Sequence, residues 1–110
     1  MGVAKMADNM RMRAQLKGGV TEVKVLMTHP METGRRKNDF GDVIPANFIQ
    51  LLTATLNGKI VLEAQWGTGI SKNPYLTFHL REAKVGDVIK VTWVDNFGKT
   101  GEGEIGVTLA

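Results

Sequence analysis

Apolar and polar residues alternate with a period of two along most of this chain. The alternation runs through residues 10–17, is interrupted by two glycines at 18–19, and resumes in residues 23–28. Because successive side chains of a strand point to opposite faces, the pattern predicts two half-buried strands, and the glycines favour a tight turn between them. The residues predicted to face inward are Met10, Met12, Ala14, Leu16, Val23, Val25 and Met27.

The same period returns in the second half of the chain, with turn-forming residues at 67–69, 84–87 and 96–99 between the stretches. Trp93 stands in the middle of one stretch, and we predict that it is buried between two sheets. The alternating apolar residues are Ile60, Leu62, Ala64 and Trp66, then Leu76, Phe78 and Leu80, then Ile89, Val91 and Trp93, and finally Ile105, Val107 and Leu109.

Residues 47–56 are ambiguous, because Ile49, Leu52 and Leu56 would also share one face of a helix. The β-branched residues in this stretch and the Asn57-Gly58 pair after it favour a β-hairpin with a type I′ turn. The whole pattern predicts an all-β fold, an immunoglobulin-like antiparallel β-sandwich of about seven strands, spanning residues 10–110.

A long polar connection from His29 to about Asp42 interrupts the strands. Loops of this length inside a small domain are usually functional or flexible. This loop carries Arg35, Arg36 and Lys37, and residues 1–37 hold eight Lys/Arg against three Asp/Glu, although the net charge of the chain is only +3. Two interpretations remain open: a solvated basic edge, or a patch that attracts an anion or an acidic partner. We expect no nucleic-acid partner, because aromatic residues do not interleave with the basic ones.

The residue types that carry most enzyme chemistry are scarce. The 110 residues include no cysteine and only two histidines, His29 and His79. A metal site needs at least three ligands, so we expect two partly exposed histidines, no metal and no cofactor. The glycines around Lys99-Thr100 lack the spacing of a phosphate loop. No apolar run approaches the length of a membrane span, so no membrane partner is expected.

Several turn residues have simpler structural interpretations. The aspartates Asp39, Asp42, Asp87 and Asp95 stand in turn contexts, and we predict that they accept Asx-type hydrogen bonds rather than act as acid–base pairs. Most aromatic residues occupy period-two positions and are expected in the core. Tyr75 is the exception, because Asn73-Pro74 places it at a strand entrance, where it is expected to be exposed at an interface.

The N-terminal segment shows no clear pattern. Its first ten residues lack the apolar region of a signal peptide, and Met6 offers a natural start. We therefore interpret residues 1–9 as a disordered segment or one foreign to the natural chain, the doubt falling mainly on residues 1–5.

Several segments together carry a family resemblance that covers nearly all of residues 13–109. The segments are His29-Pro30-Met31-Glu32-Thr33-Gly34-Arg35-Arg36-Lys37, Ile44-Pro45 with Phe48-Ile49, Leu56-Asn57-Gly58, Ser71-Lys72-Asn73-Pro74-Tyr75 with Phe78, and Trp93 with Asp95 and Gly98. Each segment alone is weak, but their order and spacing are specific. Through them the chain resembles SoxZ, the smaller subunit of the SoxYZ sulfur-compound carrier of thiosulfate-oxidising bacteria.

The resemblance implies a non-enzymatic scaffold subunit that forms a heterodimer with a SoxY-type protein. In that family SoxY holds the sulfur intermediate on a cysteine, and SoxZ supports it. The resemblance also implies a periplasmic location, reached by export with the signal-bearing partner and not by a signal peptide in this sequence. It supplies no catalytic residue. We predict a partner interface at His29, Arg35, Arg36, Lys37 and Tyr75, with indirect contacts to other sulfur-oxidation enzymes and a homodimer when the subunit is isolated.

Two other classes of protein remain as alternatives. The first is a stand-alone immunoglobulin-like module for ligand binding or adhesion. The second is a small redox or metal enzyme, which would hold stoichiometric metal after purification.

Overall fold

The structure, a computed structural model, describes residues 5–6 and 10–110. Within these residues the chain forms nine strands and no helix. The strands are β1 (Lys5–Met6), β2 (Met10–Lys17), β3 (Val20–Met27), β4 (Ile49–Leu56), β5 (Lys59–Gln65), β6 (Tyr75–Leu80), β7 (Val88–Asp95), β8 (Thr100–Gly106) and β9 (Thr108–Leu109). The ambiguous stretch 47–56 is therefore mainly strand and not helix.

The strands form two sheets, in the orders β1-β8-β7-β4-β5 and β6-β3-β2-β9. Neighbouring strands are antiparallel except for β2 and β9, which are parallel. Both hairpin predictions are confirmed: the two central residues of each turn have positive φ, which is the geometry of a type I′ turn (Gly18 and Gly19 at 61° and 80°, Asn57 and Gly58 at 50° and 86°). The predicted all-β sandwich is confirmed.

The core lies between the sheets and consists largely of the residues that the alternation selects. Met10, Met12 and Ala14 from β2 are buried together with Val91 and Trp93 from β7. Trp93 is 1% exposed, so the prediction of its burial is confirmed. The other buried apolar residues are Val23, Val25, Met27, Met31, Ile49, Leu52, Ala54, Ala83, Ile89 and Val107.

Ile60 departs from the predicted alternation. The β4–β5 register shifts after Ala54, so that Thr55 pairs with Ile60 while Ala54 pairs with Leu62. A β-bulge of this kind places one extra residue on one strand and reverses the faces beyond it. Ile60 is consequently 58% exposed, and Val61 packs against the core in its place. The prediction that Ile60 faces inward is wrong for this reason.

Two glycines of β8 are explained by packing. A Cβ on Gly101 would lie 2.3 Å from the Trp93 ring, and one on Gly103 would lie 2.6 Å from the Met10 sulfur. Carbon and sulfur atoms cannot approach so closely, so both positions must remain glycine for Trp93 and Met10 to fill the core. The glycine-rich stretch around Lys99-Thr100 therefore serves the core.

Most of the N-terminal prediction lies outside the described residues. Residues 1–4 and 7–9 are not described, so the interpretation of residues 1–9 stays a prediction. Lys5 and Met6 pair with Glu104 and Gly103 at the edge of the five-stranded sheet.

Candidate functional site

The loop between β3 and β4 folds back on itself as an irregular hairpin. Its outer part is bridged by Lys37 and Val43, and its inner part by Glu32 and Asn47. The inner bridge has two backbone hydrogen bonds of 2.7 and 3.0 Å. We call residues 29–32 and 46–48 the loop root, and residues 35–43 the loop tip. The root packs against the end of the sandwich, whereas all residues of the tip are exposed.

His29 belongs to the root and is 2% exposed, so the expectation of a partly exposed histidine is wrong for it. Its Nδ1 accepts the Met31 backbone N–H at 3.0 Å, which assigns the ring proton to Nε2. Nε2 then donates to Asp95 Oδ2 at 3.0 Å. The ring also stands edge-on to Trp93, with centroids 5.1 Å apart. The side chain of His79, in contrast, is partly exposed as expected. Its Nε2 lies 3.3 Å from Glu22 Oε2.

Asp95 is the centre of this buried network. Its Oδ2 also accepts Asn47 Nδ2 at 3.1 Å, and its Oδ1 accepts the backbone N–H groups of Phe97 and Lys99, both at 2.9 Å. Burial alone raises the pKa of the Asp95 carboxyl, but hydrogen bonds from His29, Asn47 and the two N–H groups outweigh it and hold the pKa below its usual value. The buried carboxylate is thus stabilised by four donors.

The predicted Asx-type role is confirmed for Asp95, whose Oδ1 accepts the Phe97 N–H of its own turn. Asp87 also bonds to its own turn, but its Oδ2 accepts the N–H of Lys84, three residues earlier, at 2.9 Å. In the loop tip this role falls to Asn38, whose Oδ1 accepts the N–H groups of Phe40 and Asp42. The side-chain acceptor in the tip is therefore the neutral amide of Asn38, and not Asp39 or Asp42 as predicted.

Two asparagines complete the links between neighbouring loops. Asn96 Oδ1 accepts the Phe48 N–H at 2.8 Å, and its Nδ2 donates to the Ala46 carbonyl at 2.8 Å. Asn73 Oδ1 accepts the His29 N–H at 3.1 Å, and the Asn73 N–H donates to the His29 carbonyl at 3.0 Å. The loop root, the β5–β6 connection and the β7–β8 turn are therefore fastened together at one end of the sandwich.

The chemistry open to this network is limited by its own hydrogen bonds. Both ring nitrogens of His29 are engaged, and the ring and the Asp95 carboxylate are buried. A general base must reach the proton that it removes, and this imidazole has neither a free lone pair nor a path to a surface ligand. We interpret the pair as an anchor for the loop. Within residues 5–6 and 10–110, no group of three or more potential metal ligands comes together.

The three cations of the loop tip differ in their surroundings. Arg36 Nη2 lies 2.6 Å from Glu32 Oε1, and Arg36 Nε lies 3.2 Å from both carboxylate oxygens. This hydrogen-bonded pair raises the pKa of Arg36 and lowers that of Glu32. Arg35 and Lys37 are exposed, and no salt bridge joins either to another described residue. Two of the three cations thus remain open to solvent.

Tyr75 lies on a different surface from these cations. It is 60% exposed and lines a groove on the outer face of the four-stranded sheet, whereas Arg36 lines a cavity with Glu32 and Lys72. Tyr75 is nevertheless two residues from Asn73, which holds His29. The predicted interface residues therefore occupy three settings: a buried anchor, an exposed loop tip and a sheet face. Because His29 is buried, its part in any interface is to hold the loop, and the interface itself stays a prediction.

Most of the network could not be predicted from the sequence. Asn47 is the first residue of the ambiguous stretch 47–56 and Asn96 lies in a predicted turn, but neither was predicted to be a functional residue. Asn73 and Met31 have positive φ angles of 51° and 47°, but the residues alone signal this only weakly. The His29–Asp95 contact joins residues 66 positions apart, and no local pattern predicts such a pair.

Comparisons with known proteins identify the family. A family model described as sulphur oxidation protein SoxZ matches residues 10–106 of the 110-residue chain, which covers β2 to β8 and the whole network. No curated protein matches the chain at a significant level. In the described part of the chain, no helix has the length and apolar character needed to cross a membrane.

Proposed function

The chain belongs to the SoxZ family of sulfur-oxidation proteins, and from this premise we propose that it is a non-enzymatic binding subunit. Its partner is a SoxY-type protein, which carries sulfur intermediates covalently. The observation that carries the proposal is the extent of the family match, which includes both the sandwich and the loop between β3 and β4. The role of the chain is to hold and orient the carrier, while the sulfur chemistry takes place on the partner.

Two features of the molecule support a holding role. The groups best suited to acid–base chemistry are His29 and Asp95, and they are already hydrogen-bonded to each other in the anchor of the loop. The loop tip that they anchor presents Arg35 and Lys37 to solvent. Such cations attract an anionic sulfur adduct or an acidic enzyme surface over a distance, and they raise the rate of encounter more than the final affinity.

The proposed location is the periplasm, reached together with the partner. The support is the family membership. Export in company with a signal-bearing partner requires that the two subunits associate before they cross the membrane. Location and complex formation are therefore linked in this proposal.

Co-expression with a SoxY-type partner tests the proposal. We expect a 1:1 complex by size-exclusion chromatography with light scattering, and we expect this chain in the periplasmic fraction only when the partner is present. After incubation with thiosulfate and the enzymes that load the carrier, mass spectrometry should find added sulfur on the partner and none on this chain, which has no cysteine. Two proteins that migrate independently at micromolar concentration would contradict the pairing and favour a stand-alone binding module.

A further inference from the structure

The outer face of the four-stranded sheet brings three cations and two apolar side chains together. In one row across the sheet, Arg11 pairs with Leu26 and Leu26 with Tyr75. In the next row on the same face, Arg13 pairs with Lys24. We call the surface formed by Arg11, Arg13, Lys24, Leu26 and Tyr75 the basic groove. It encloses about 450 Å³ and also contacts Met12.

The charges of the basic groove oppose the stability of the fold. Arg13 and Lys24 are directly opposite each other on neighbouring strands, and like charges in this position are destabilising. Among the described residues, Glu22 is the one anion within salt-bridge distance of these cations, 3.5 Å from Lys24, and it also lies 3.3 Å from His79. The groove therefore keeps a positive charge that folding does not require and that an anionic ligand would relieve.

The apolar part of the groove is also unusual for a free surface. Leu26 is 41% exposed and Tyr75 60% exposed, and the two are cross-strand neighbours. Tyrosine and arginine are enriched at the centres of protein interfaces, where they supply large contact areas at a low entropic cost. The strand that carries Lys24 and Leu26 is hydrogen-bonded on both sides, and the strand that carries Arg11 and Arg13 pairs with it along its whole length, so the backbone of the groove is fixed before it binds.

The outer face of the five-stranded sheet is more acidic, although Lys5 pairs with Glu104 at its edge. Glu102 and Glu104 of β8 and Glu63 of β5 lie on outward rows of the five-stranded sheet, where Lys90 pairs with Glu104 and lies 3.3 Å from Glu102. Of the two outer sheet faces, the one that carries the basic groove is therefore the more positive. This difference favours an acidic occupant for the basic groove.

We infer that the basic groove is the docking site for an acidic segment of the protein partner, one that carries a carboxylate beside an apolar side chain. The carboxylate lies between Arg11, Arg13 and Lys24, and the apolar side chain covers Leu26 and Tyr75. The inference rests on the proposed function for the identity of the partner, but the surface is distinct from the loop tip. A small anion would satisfy the cations and leave the apolar pair uncovered, which is why a protein segment fits better.

The test uses a substitution whose effects on folding and on binding have opposite signs. Arg13→Gln removes a like-charge opposition, so the melting temperature of the isolated chain should stay the same or rise. The same substitution should weaken binding to the SoxY-type partner by about tenfold or more, measured by calorimetry. Tyr75→Ala should weaken binding by a similar factor without loss of secondary structure. The matched control is Lys90→Gln on the acidic face, which should leave the affinity unchanged.

The outcomes separate this inference from the proposed function. If the natural sequence binds the partner but Arg13→Gln and Tyr75→Ala bind equally well, the docking site is wrong while the pairing stands. If the natural sequence does not bind, the pairing fails and the assigned occupant fails with it. Two other occupants of the groove are a small anion, tested by titration with inorganic sulfate, and a second copy of this chain, tested by light scattering of the isolated chain. Saturable binding of sulfate that the partner does not displace would overturn the inference. Self-association that Arg13→Gln abolishes would also overturn it.

Discussion

The root and the tip of the loop between β3 and β4 are built in different ways although they belong to one segment. In the root, His29 is buried and its backbone and ring make four hydrogen bonds, to Asn73, Met31 and Asp95. In the tip, all of residues 35–43 are exposed, and the hydrogen bonds to Asn38 are local. Buried hydrogen bonds thus fix the positions where this loop starts and ends, while its charged tip stays exposed and can contact another molecule.

Substitutions in the root and in the tip should therefore have different effects. Changes in the root or in the core beneath it should lower stability, because they remove buried contacts or leave buried donors unpaired. Changes at the tip should leave stability intact and alter association. Four predictions test this contrast, beginning with the core on which the root rests.

Trp93→Ala should lower the free energy of unfolding by about 3–5 kcal/mol, the usual range for truncating a buried aromatic residue. Trp93 contacts Gly101 on one side and the edge of the His29 ring on another, so the cavity would reach the loop root. Chemical denaturation measures the change. Phe97→Ala is the matched control, since Phe97 is 64% exposed nearby, and it should change stability by less than about 0.5 kcal/mol. Equal losses in the two variants would contradict the contrast.

Asp95→Ala should cost about 3 kcal/mol, because it leaves the buried donors of His29 and Asn47 and two backbone N–H groups without their acceptor. Asp39→Ala, at the exposed tip, is the matched control and should have little effect.

The same variant tests the pH dependence of stability. The pKa of Asp95 is lower in the folded chain than its usual value, so the folded state favours the ionised carboxylate. Its contribution is complete above the pKa of the unfolded chain, about 4, and is lost as the pH falls through the lower folded value. The natural sequence should therefore lose stability on acidification below about pH 4 more steeply than Asp95→Ala. Parallel acid-unfolding curves for the two proteins would show that Asp95 does not contribute in this way.

Replacing Arg35 and Arg36 together with alanine should have the smallest effect on folding. The melting temperature should be nearly unchanged, because the Arg36–Glu32 ion pair is at the surface and Arg35 is exposed. Association with the partner should be slower at low ionic strength, and the difference should shrink as salt screens the charges. Lys59→Ala, at the start of β5 and at the other end of the sandwich, is the control. Stopped-flow rates that are unchanged at low salt would show that the tip is a solvated edge without a role in association.

The periodic part of the fold could be predicted from the sequence because its causes are local. Alternation identified the inward residues of β2, β3 and β7. Gly18-Gly19 predicted a tight turn and Asn57-Gly58 a type I′ turn, and the φ angles of both pairs agree. The prediction failed at Ile60, where a bulge reverses the strand faces. The bulge depends on how β4 and β5 are aligned across the sheet, and an uninterrupted apolar run such as Ile60-Val61-Leu62 does not show where the extra residue lies.

Of the candidate site, only the exposed residues could be predicted from the sequence. The cations of the loop and the exposure of Tyr75 follow from residue type and position, since long charged side chains are rarely buried unpaired. Their neighbours do not follow. Glu32 neutralises Arg36, and Tyr75 faces Arg11, Leu26 and Lys24 and not the loop tip. These pairings depend on which strands become neighbours.

Periodicity and residue type predict the all-β sandwich, most of its core residues, its tight turns and the family that the chain resembles. The pairing of the strands was needed to show that His29 is an internal anchor and that Val107 carries the chain from the five-stranded sheet to a parallel pair with β2. The pairing also shows that the outer face of the four-stranded sheet is the more basic of the two. The physical reason is that periodicity and turn preference act between residues close in sequence, whereas a buried hydrogen bond requires partners that the folding of both sheets brings within 3 Å.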